Sequence, residues 1–366
     1  MILFAAFVAL AILAGAAALA AARRRAPELP PAQRSPAPVV VLVPMRNEEE
    51  NVEDCLASLL AQTTPLRIRV LDDCSEDSTG ELARKLAAVD PRIEVVTVPQ
   101  PPAGVNGKVH ALAHGLEGIE AEWILGLDAD ARPATDTVAR ALAAAESNGL
   151  DAVSLAARQR AETIGEAMVT PPVYALLDAL LGDWEPVARG DGGPVANGQF
   201  FLVRRAALEA AGGYAAIVRE PLDDVALARR LAATGFRVGF WRAGDALEVR
   251  MYHGFAASFA GWRRNLSLIA GDRTAVLVAT ITVVLLPAVV ALAALEIDVP
   301  LAAAVAWGCG ALASAALREG TGSSPTWGLL YPLDALALSA ALVAARLDRA
   351  FGWLAPWRGR RMALPR

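Results

Sequence analysis

The chain has few lysines, histidines and cysteines, and these shortages exclude several classes of protein. Two of its 34 basic residues are lysines, and the formal net charge of the 366-residue chain is -5. A nucleic-acid-binding protein would show a basic stripe or face, which this composition argues against. The three cysteines, Cys55, Cys74 and Cys309, are scattered and form no C-x-x-C pair. The sequence therefore predicts reduced thiols, with neither a disulfide framework nor a zinc knuckle.

Charged residues are also scarce, at 20% of the chain, whereas 55% of the residues are hydrophobic and the mean hydropathy is +0.39. A soluble domain averages about 45–50% apolar and about 25% charged residues, so the excess predicts that part of the chain lies in lipid. Four segments are apolar enough to be candidate membrane spans. They comprise residues 2–22, 275–295, 301–317 and 327–345.

The arginines predict how these segments are oriented. Arginines 23–25 follow the first segment, and the positive-inside rule then places the N-terminus outside and the next domain in the cytoplasm. Four complete spans would leave the Arg-rich C-terminal tail outside, which conflicts with the same rule. Two explanations stay open: segment 327–345, which contains Pro332 and Asp334, is re-entrant or interfacial, or the tail is exported. Either way we expect a multi-pass protein of the inner (cytoplasmic) membrane.

Composition divides the chain into five parts. They are an N-terminal anchor (1–25), a linker (26–38), a polar domain (39–272), C-terminal membrane segments (273–346) and an Arg- and Trp-rich interfacial tail (347–366). Five prolines between residues 27 and 38 predict that the linker is stiff and extended. The polar domain is the place to look for chemistry.

Short apolar runs alternate with helical patterns between residues 39 and 155. Strands are predicted at residues 39–43, 68–71, 93–98, 123–127 and 152–155, and helices at 51–62, 79–89, 108–116 and 136–147. This alternation is typical of βαβ units and of an α/β, doubly wound, mostly parallel sheet. Ligands of such sheets bind beyond the carboxyl ends of the strands, so the residues that follow each strand are the candidates for function.

Polar and mostly acidic residues follow four consecutive predicted strands. The four clusters are Pro44-Met-Arg46-Asn47-Glu48-Glu49, Asp72-Asp73-Cys-Ser75-Glu-Asp77-Ser-Thr79, Gly107-Lys108 and Asp128-Ala-Asp130. Carboxylates that crowd one edge of a sheet repel one another unless a cation or a donor-rich ligand neutralises them. We interpret the clusters as a site for a divalent metal, with Asp128 and Asp130 as oxygen ligands, and a phosphorylated ligand. Lys108 lies at a predicted helix N-terminus, where it suits a phosphate.

Each motif also has a simpler structural explanation when it is taken alone. The Asp72–Thr79 cluster has the residues of a helix N-terminal turn, in which Ser75, Asp77 or Ser78 caps the next helix. An Asp-x-Asp pair occurs by chance in acidic chains, and Lys108 is then an ordinary solvated lysine. The joint placement of the clusters is what favours the metal and phosphate interpretation.

The motifs, in this order, resemble those of family 2 glycosyltransferases. Besides the four clusters, the resemblance includes Asp223-Asp224-x-x-Leu227-x-x-Arg230, and it covers about residues 39–270. It implies a GT-A-type fold, here with one N-terminal and two to three C-terminal transmembrane helices. It also implies a nucleotide-diphosphate sugar as the donor, with UDP-sugar the expected one, a divalent metal (Mg²⁺ or Mn²⁺) and inversion at the anomeric carbon.

The resemblance implies roles for individual residues. Asp224 is the expected general base, because the acceptor must lose its proton to a group within hydrogen-bond reach; capping of the helix 225–233 by the same acidic pair is compatible with that role. The residues expected to bind nucleotide or substrate are Pro44, Arg46, Glu48, Asp72, Asp73, Lys108, Asp128, Asn197, Trp262 and Arg264, and those expected to hold the metal are Asp128 and Asp130. For Trp262 an interfacial membrane anchor is an equal alternative.

The sequence departs from the processive polysaccharide synthases of this family at one motif. Where those enzymes carry Gln-x-x-Arg-Trp, this chain has Gly261-Trp262-Arg263-Arg264-Asn265, which argues against long-chain polymerisation. The stretch Met251-Tyr-His-Gly-Phe255, the Gly-Trp-x-x-Asn segment, the C-terminal spans and the tail Trp357-Arg-Gly-Arg360 are similar to bacterial membrane enzymes that glycosylate carotenoids or are associated with hopanoid synthesis. We therefore expect transfer of a single hexose to a hydroxyl or carboxylate of a lipid acceptor of the carotenoid, glycerolipid or polyprenyl type.

Two other functions compete with this one. A haloacid-dehalogenase-like phosphohydrolase also has an apolar strand that ends in Asp-x-Asp and a later acidic pair, but it normally needs a lysine between them, and no lysine follows Lys108. A membrane module that binds nucleotide sugars without activity is the other candidate. The intact Asp128, Asp130 and Asp224 set argues against it.

Overall fold

The structure is a computed structural model that describes residues 14–15, 17–18, 21, 27–32, 37–269, 273–321 and 323–353. The predicted N-terminal span lies almost entirely outside the described residues, and so does the tail beyond residue 353. Of the described residues, those in Ala26–Arg158 and Asp183–Val249 form one compact unit, here called the sheet unit. Those in Gln159–Gly182 and Arg250–Ala355 form a second, here called the helical unit.

An eight-stranded mixed sheet is the centre of the sheet unit. Its strands are β1 (Val39–Met45), β2 (Leu66–Asp72), β3 (Ile93–Thr97), β4 (Trp123–Leu127), β5 (Ala131–Pro133), β6 (Ala152–Gln159), β7 (Phe200–Arg204) and β8 (Val238–Val249). Their spatial order is β3-β2-β1-β4-β7-β6-β8-β5. Strands β1 to β4 run parallel to one another, whereas β7 is antiparallel to β4 and β6, and β5 is antiparallel to β8. The α/β class is confirmed.

Helices connect these strands and then build the C-terminal half. In chain order they are α1 (Val52–Leu60), α2 (Thr79–Val89), α3 (Gly107–Gly115), α4 (Thr137–Asn148), α5 (Ile164–Leu181), α6 (Trp184–Ala188), α7 (Arg205–Ala210), α8 (Asp223–Ala233), α9 (Gly254–Ile269), α10 (Thr274–Glu296), α11 (Pro300–Thr321) and α12 (Leu333–Phe351). Two 3₁₀ turns, Tyr214–Ile217 and Pro325–Leu330, precede α8 and α12. The four helices predicted between residues 51 and 147 are all present.

Burial explains which strands the sequence revealed. β1 lies between β2 and β4, and β4 is buried along its whole length. A strand covered on both faces is apolar at successive positions, which is why both strands appear as continuous apolar runs. β5, β7 and β8 were not predicted. β5 has three residues, and β7 (Phe-Phe-Leu-Val-Arg) runs directly into α7, so its apolar residues do not separate from the helical pattern.

The helical unit consists of α5 and α9–α12. Trp262 is buried in its core, where the indole N–H donates to Thr170 Oγ1 at 3.1 Å and the ring packs edge-on against Tyr174. Glycine is required at Gly261, since a Cβ there would lie 2.2 Å from the ring of Tyr252. Asn265 Nδ2 donates to the hydroxyl of the same tyrosine. Packing therefore explains three residues of the Gly-Trp-x-x-Asn segment.

Three helices in the described ranges are long and apolar enough to cross a membrane, by length and composition alone: Ile164–Leu181, Thr274–Glu296 and Pro300–Arg318. The second and third correspond to the predicted segments 275–295 and 301–317. The first was not predicted as a span, because Glu166, Asp178 and the pair Pro171–Pro172 interrupt its apolar run. Segment 327–345 is not among them. It consists of part of the second 3₁₀ turn and most of α12.

The hydroxyl of Tyr331 forms hydrogen bonds with backbone groups of α10 next to the internal proline of that helix. Pro287 has no N–H to donate, and the hydroxyl of Tyr331 lies beside it. That hydroxyl accepts a hydrogen bond from Ala288 N at 2.8 Å and donates to Val284 O at 3.3 Å. Neighbouring segments satisfy the freed backbone groups of proline-containing helices in lipid in the same manner.

Candidate active site

The predicted polar clusters meet at one edge of the sheet unit. β1, β2 and β4 are parallel neighbours, so their carboxyl ends, and the loops that follow them, lie side by side. The N-termini of α3 and α8 contribute further side chains to the same place. This is where ligands of open α/β sheets bind.

Arg46 joins the loop after β1 to the loop after β2. Its Nη1 donates to the carbonyl oxygens of Asp73 and Cys74, both at 2.8 Å, and Nη2 lies 3.3 Å from Glu76 Oε1. Asn47 and Cys74 have positive φ angles of 53° and 56°, so both loops turn sharply where they meet. The guanidinium of Arg46 thus holds the loops together.

Asp72 and Asp73 are both buried at the end of β2. Asp72 Oδ1 accepts the backbone N–H of Ser75 at 3.1 Å, and α2 can start beside Asp72 because Gly80 has no side chain. A Cβ at Gly80 would lie 2.4 Å from Asp72 Oδ2. The cap of α2 comes from Asp77, whose Oδ1 accepts Thr79 N at 3.0 Å. This bond gives Asp77 a structural role at the start of α2.

A chain of hydrogen bonds links the loop after β1 to the loop after β4. Glu48 Oε2 accepts Asn51 Nδ2, and Asn51 Oδ1 accepts Arg132 Nη2, both at 2.8 Å. Arg132 Nη1 in turn donates to Ala129 O at 2.7 Å, inside the Asp-x-Asp motif. Pro44, the second-to-last residue of β1, is only partly buried. Glu48 and the Asp-x-Asp motif are consequently held in one rigid network.

Lys108 lies among carboxylates that come from two distant parts of the chain. Its Nζ is 2.6 Å from Asp128 Oδ1 and 3.5 Å from Asp223 Oδ2. Asn106 explains this meeting, because its Oδ1 caps α3 at Lys108 N and its Nδ2 donates to Glu220 O, just before α8. The N-termini of α3 and α8 are thereby brought side by side.

Asp224 completes this group. Its Oδ2 accepts Gly198 N at 2.8 Å, and its Oδ1 accepts Val225 N at 2.7 Å. A Cβ at Gly198 would lie 2.8 Å from Lys108 Nζ, so only glycine leaves room for the ammonium there. Asn197 is held by Ser154 through its backbone and by Gln199 through its side chain. Its amide therefore fixes the segment that presents Gly198 to Asp224.

The ionisable groups of this site have strongly shifted pKa values. Burial and the neighbouring Asp223 carboxylate raise the pKa of Asp224 to about 6. Burial, Asp128 and Glu48 raise the pKa of Asp130 to about 8, and burial also raises that of Asp128. Burial opposes the charge of Lys108, but Asp128 and Asp223 outweigh it and raise the lysine pKa above its ordinary value. Such shifts concentrate at functional sites.

Asp130 fits the donor set of a cation site. Its Oδ1 is buried and has no hydrogen-bond partner among the described residues, and its raised pKa means that the anion is unfavourable unless positive charge is added. In the same described ranges, no group of three or more His, Cys, Asp or Glu is arranged to hold a metal ion. A cation here would have two protein carboxylates, Asp128 and Asp130, as Mg²⁺ commonly does when phosphates and water complete its coordination.

Several residues of this site were not named as site residues from the sequence. They are Gly198, Asn106, Arg132, Tyr214 and Asp223, of which Asp223 was named only as part of its acidic pair. Gly198 directly follows the predicted site residue Asn197, but Lys108, which both Gly198 and Asp223 adjoin, is more than 80 residues away. Tyr214 carries no sequence signal. Its buried hydroxyl has no hydrogen-bond partner in the described part of the chain, and burial and Asp223 raise its pKa above the ordinary value.

Trp262 and Arg264 are the two predicted substrate-binding residues outside this unit. Both belong to α9 of the helical unit, Trp262 in its core and Arg264 partly exposed. The burial of Trp262 and the bond of its N–H to Thr170 are features of core packing. A role of either residue toward substrate stays a prediction.

The family model described as glycosyl transferase family 2 matches residues 40–212. The succinoglycan biosynthesis protein ExoA of Rhizobium meliloti is 28% identical over 205 residues, which are 54% of this chain and 59% of that protein. The 4,4'-diaponeurosporenoate glycosyltransferase of Staphylococcus aureus is 25% identical over 240 residues, which are 64% of this chain and 62% of that protein. This chain thus spans less than two thirds of the length of these curated relatives.

The mannosyltransferase PcManGT of Pyrobaculum calidifontis, solved in complex with GDP-Man and Mn²⁺, is similar in structure. The TM-score is 0.54 at 22% sequence identity, and the match covers 94% of this chain and 98% of that one. At this level of identity the similarity establishes a shared fold.

Proposed function

We propose that the protein is a metal-dependent inverting hexosyltransferase, a proposal supported by the match of residues 40–212 to the family 2 glycosyltransferase model and by the GT-A-type fold. It would move a single sugar from a nucleotide-diphosphate sugar to a lipid acceptor. The observation that carries the proposal is the group of Asp128, Asp130, Asp223 and Asp224 around the Lys108 ammonium at the carboxyl edge of the sheet.

The nucleotide would bind over the loops after β1 and β2. Asp73 and Asp72 offer buried carboxylates to the donors of a base, and Pro44 and Glu48 lie at the end of β1, where a ribose would follow. Arg46, which clamps the two loops, would fix the shape of this pocket. Uridine is the expected base. The PcManGT complex contains a guanosine nucleotide, so both bases belong in a binding test.

Asp128 and Asp130 would hold a divalent cation, Mg²⁺ or Mn²⁺. When bound, such a cation neutralises the charge of the leaving diphosphate. The unpartnered Oδ1 of Asp130 supports this assignment.

Asp224 would act as the general base. Its pKa of about 6 makes it a stronger base than an ordinary carboxylate, yet leaves it ionised at neutral pH. In the transfer the acceptor hydroxyl gives its proton to Asp224, and its oxygen forms a bond to the anomeric carbon. The bond between that carbon and the phosphate oxygen breaks, and the nucleoside diphosphate leaves. The hydrogen bonds from Gly198 N and Val225 N would hold the carboxylate in position.

One argument against the phosphohydrolase alternative no longer holds. That argument was that no lysine follows Lys108 in the sequence, but Lys108 contacts both Asp128 and Asp223 in space, so its place along the chain does not exclude the role. The GT-A-type sheet and the family match favour transfer over hydrolysis. Release of inorganic phosphate from sugar phosphates, without sugar transfer, would favour the hydrolase.

The helical unit would hold the protein in the inner membrane, with the sheet unit on the cytoplasmic side. α10 and α11 carry exposed apolar side chains along their length, as lipid-facing helices do. α12 has large apolar residues on its exposed face and buries both of its acidic residues, while Arg346 and Arg349 are partly exposed. Exposed on α12 are Leu333, Leu336, Val343, Leu347 and Phe351, whereas Asp334, Ser339 and Asp348 are buried.

The exposed apolar residues and the buried acidic residues of α12 support the interpretation that this helix faces lipid. Charged residues in lipid face the interior of a bundle and pair there. Asp334 Oδ2 lies 2.9 Å from Arg318 Nη2, and Asp348 Oδ2 lies 2.6 Å from Arg263 Nε. The hydropathy of the segment is low because of these paired residues, while its outer surface stays apolar. An α12 with one face in the membrane agrees with the expectation that segment 327–345 is interfacial or re-entrant.

A lipid acceptor would suit an enzyme attached in this way. The 25% identity to a diaponeurosporenoate glycosyltransferase supports an acceptor of the carotenoid type, and glycerolipid or polyprenyl acceptors are the alternatives. The test is a transfer assay. Purified protein in detergent is incubated with Mn²⁺, radiolabelled UDP- or GDP-hexoses and a membrane lipid extract, and labelled lipid is identified by mass spectrometry. Label in a monoglycosylated lipid is the expected result; failure of every donor to label any lipid would contradict the proposal.

A further inference from the structure

Lys108 and a divalent cation bound to Asp128 would compete for the same carboxylate. Its ammonium is 2.6 Å from Asp128 Oδ1 and also interacts electrostatically with the carboxylates of Asp223, Asp224 and Asp130. Side-chain exposure is 27% for Lys108 and 30% for Asp128, so solvent and ions can reach the pair. One lysine therefore balances part of the charge of four carboxylates.

Asp128 cannot serve the ammonium and a metal ion equally well. A Mg²⁺ ion bound to Asp128 Oδ1 at about 2.0–2.1 Å would lie within a few ångströms of the ammonium on the same oxygen. Two positive charges so close repel strongly in a partly buried site. A metal ion on Oδ1 would therefore require the ammonium to move away from that oxygen.

A second carboxylate already lies within reach of Lys108. Asp223 Oδ2 is 3.5 Å from its Nζ, so a small shift of the ammonium would bring the two into closer contact, and Gly198 presents no Cβ to this ammonium, from which a Cβ would lie only 2.8 Å away. The flexible lysine stem can follow such a shift with no change in backbone. A diphosphate bound at the N-terminus of α3 would offer the ammonium a further partner.

We propose that Lys108 is an exchangeable counter-ion, which holds Asp128 in the empty site and is displaced toward Asp223 and the diphosphate when cation and donor bind together. The inference rests on the proposed function, because it needs a metal and a nucleotide diphosphate at this site. Its consequence is coupling: the cation alone binds weakly because it must displace the ammonium, and the nucleotide strengthens cation binding because it accepts the displaced charge.

The chain contains a matched control for Lys108. Lys85, the other lysine, lies on α2, where it is exposed and pairs with Glu81 at 2.7 Å. Lys85→Met removes the same charge and the same side chain at a position with no role in the site. Lys108→Arg is a second variant, in which the charge stays and a guanidinium replaces the ammonium at Asp128.

The experiment is a calorimetric titration of Mn²⁺ into the detergent-solubilised full chain, without nucleotide and with saturating UDP or GDP. In the wild type, nucleotide should raise Mn²⁺ affinity at least tenfold. In Lys108→Met, Mn²⁺ affinity without nucleotide should rise at least tenfold and the enhancement by nucleotide should shrink, whereas Lys85→Met should match the wild type. Lys108→Arg should bind Mn²⁺ without nucleotide no more tightly than the wild type.

The outcomes distinguish a failure of the counter-ion role from a failure of the proposed function. If Lys108→Met binds Mn²⁺ alone as weakly as the wild type does, or more weakly, the counter-ion role is wrong while the metal site stands. If Lys108→Met does not fold, judged by near-UV circular dichroism, Lys108→Arg decides instead: tighter Mn²⁺ binding without nucleotide would overturn the inference. If the wild type binds no Mn²⁺ with either nucleotide, the proposed function itself fails.

Discussion

The two units of this protein differ in how their buried carboxylates are neutralised. In the helical unit, the buried carboxylates Glu166, Asp334 and Asp348 each face an arginine within 3.0 Å. In the sheet unit, four carboxylates gather around Lys108, and Asp130 Oδ1 has no hydrogen-bond partner among the described residues. Paired charges hold a scaffold together, whereas unbalanced charges cost stability unless a ligand compensates them. The difference separates structural from functional carboxylates in one chain.

The largest effect is expected from Asp224, if its carboxylate is the general base. Asp224→Asn keeps the shape of the side chain but removes the group that accepts the proton, so kcat should fall by about 10²–10⁴-fold. Asp223→Asn, one residue away, changes the same charge and should cost less. The check is initial-rate transfer together with UDP or GDP affinity. Full activity of Asp224→Asn with unchanged nucleotide binding would exclude the base role.

A substitution of Arg318 tests the structural role of the paired charges in the helical unit. The side chains of Arg318 and Asp334 are 2% and 4% exposed, and Arg318 Nη1 also donates to Ala167 O at 2.7 Å. Arg318→Leu leaves a buried, unpaired carboxylate and should destabilise the unit by about 3–5 kcal/mol. The measurement is thermal or chemical unfolding in detergent.

The double variant Arg318→Met, Asp334→Leu sharpens this test. It removes both charges and should recover most of the lost stability, apart from the unpaired Ala167 carbonyl. A double variant as unstable as Arg318→Leu would show that the cost lies in packing and not in the unpaired charge.

Asp130 belongs to the unbalanced side, so its removal should relieve strain and harm function. Asp130→Asn should fold at least as stably as the wild type, because a neutral amide replaces a crowded carboxylate. Mn²⁺-dependent affinity for UDP or GDP should fall on the order of tenfold or more, since one of two protein ligands is lost. Asp54→Asn, on the exposed side of α1, is the control. Unchanged Mn²⁺-dependent affinity in Asp130→Asn would refute the metal role.

The smallest expected effect is that of pH on the wild type. The folded pKa of Asp224 is about 6, above its ordinary value, and the base must be ionised to accept a proton. Activity should therefore be full at pH 7–8, half-maximal near pH 6 and about tenfold lower for each further unit of acid. The profile of kcat/KM reports this pKa in the free enzyme. An acidic limb near pH 4 would indicate that an unperturbed carboxylate, and not Asp224, is essential.

Much of the sheet unit was predictable because its strands are buried on both faces. The apolar runs at β1, β2 and β4 are local signals, and the acidic residues at the ends of β2 and β4 are Asp72, Asp73, Asp128 and Asp130. The contacts that organise the site are not local. Asn106 reaches Glu220 across 114 residues, and Asp224 reaches Gly198 across 26, so no sequence window contains both partners.

The helical unit was less predictable, for a different reason. Hydropathy averages over a window and does not distinguish the two faces of a helix. α12 contains four charged residues, Asp334, Arg346, Asp348 and Arg349, and hydropathy counts them equally with its outward apolar residues, although Asp334 and Asp348 are buried and paired. α5 is apolar enough to span but was not predicted as a span, because Glu166 interrupts its apolar run; in the structure Glu166 is 1% exposed and accepts hydrogen bonds from Arg250 and Gly254. Only the partners of these charges reveal their structural role.

The most direct test of the central claim, that unbalanced carboxylates mark the donor site, is hydrogen–deuterium exchange of the full chain with and without Mn²⁺ plus UDP or GDP. Protection should appear in peptides that contain residues 44–49, 105–110, 128–132, 197–199 and 222–226, and it should require Mn²⁺. Peptides of the helical unit around Arg318, Asp334 and Asp348 should not change. Protection confined to the helical unit, or no Mn²⁺-dependent protection at the strand ends, would contradict the account.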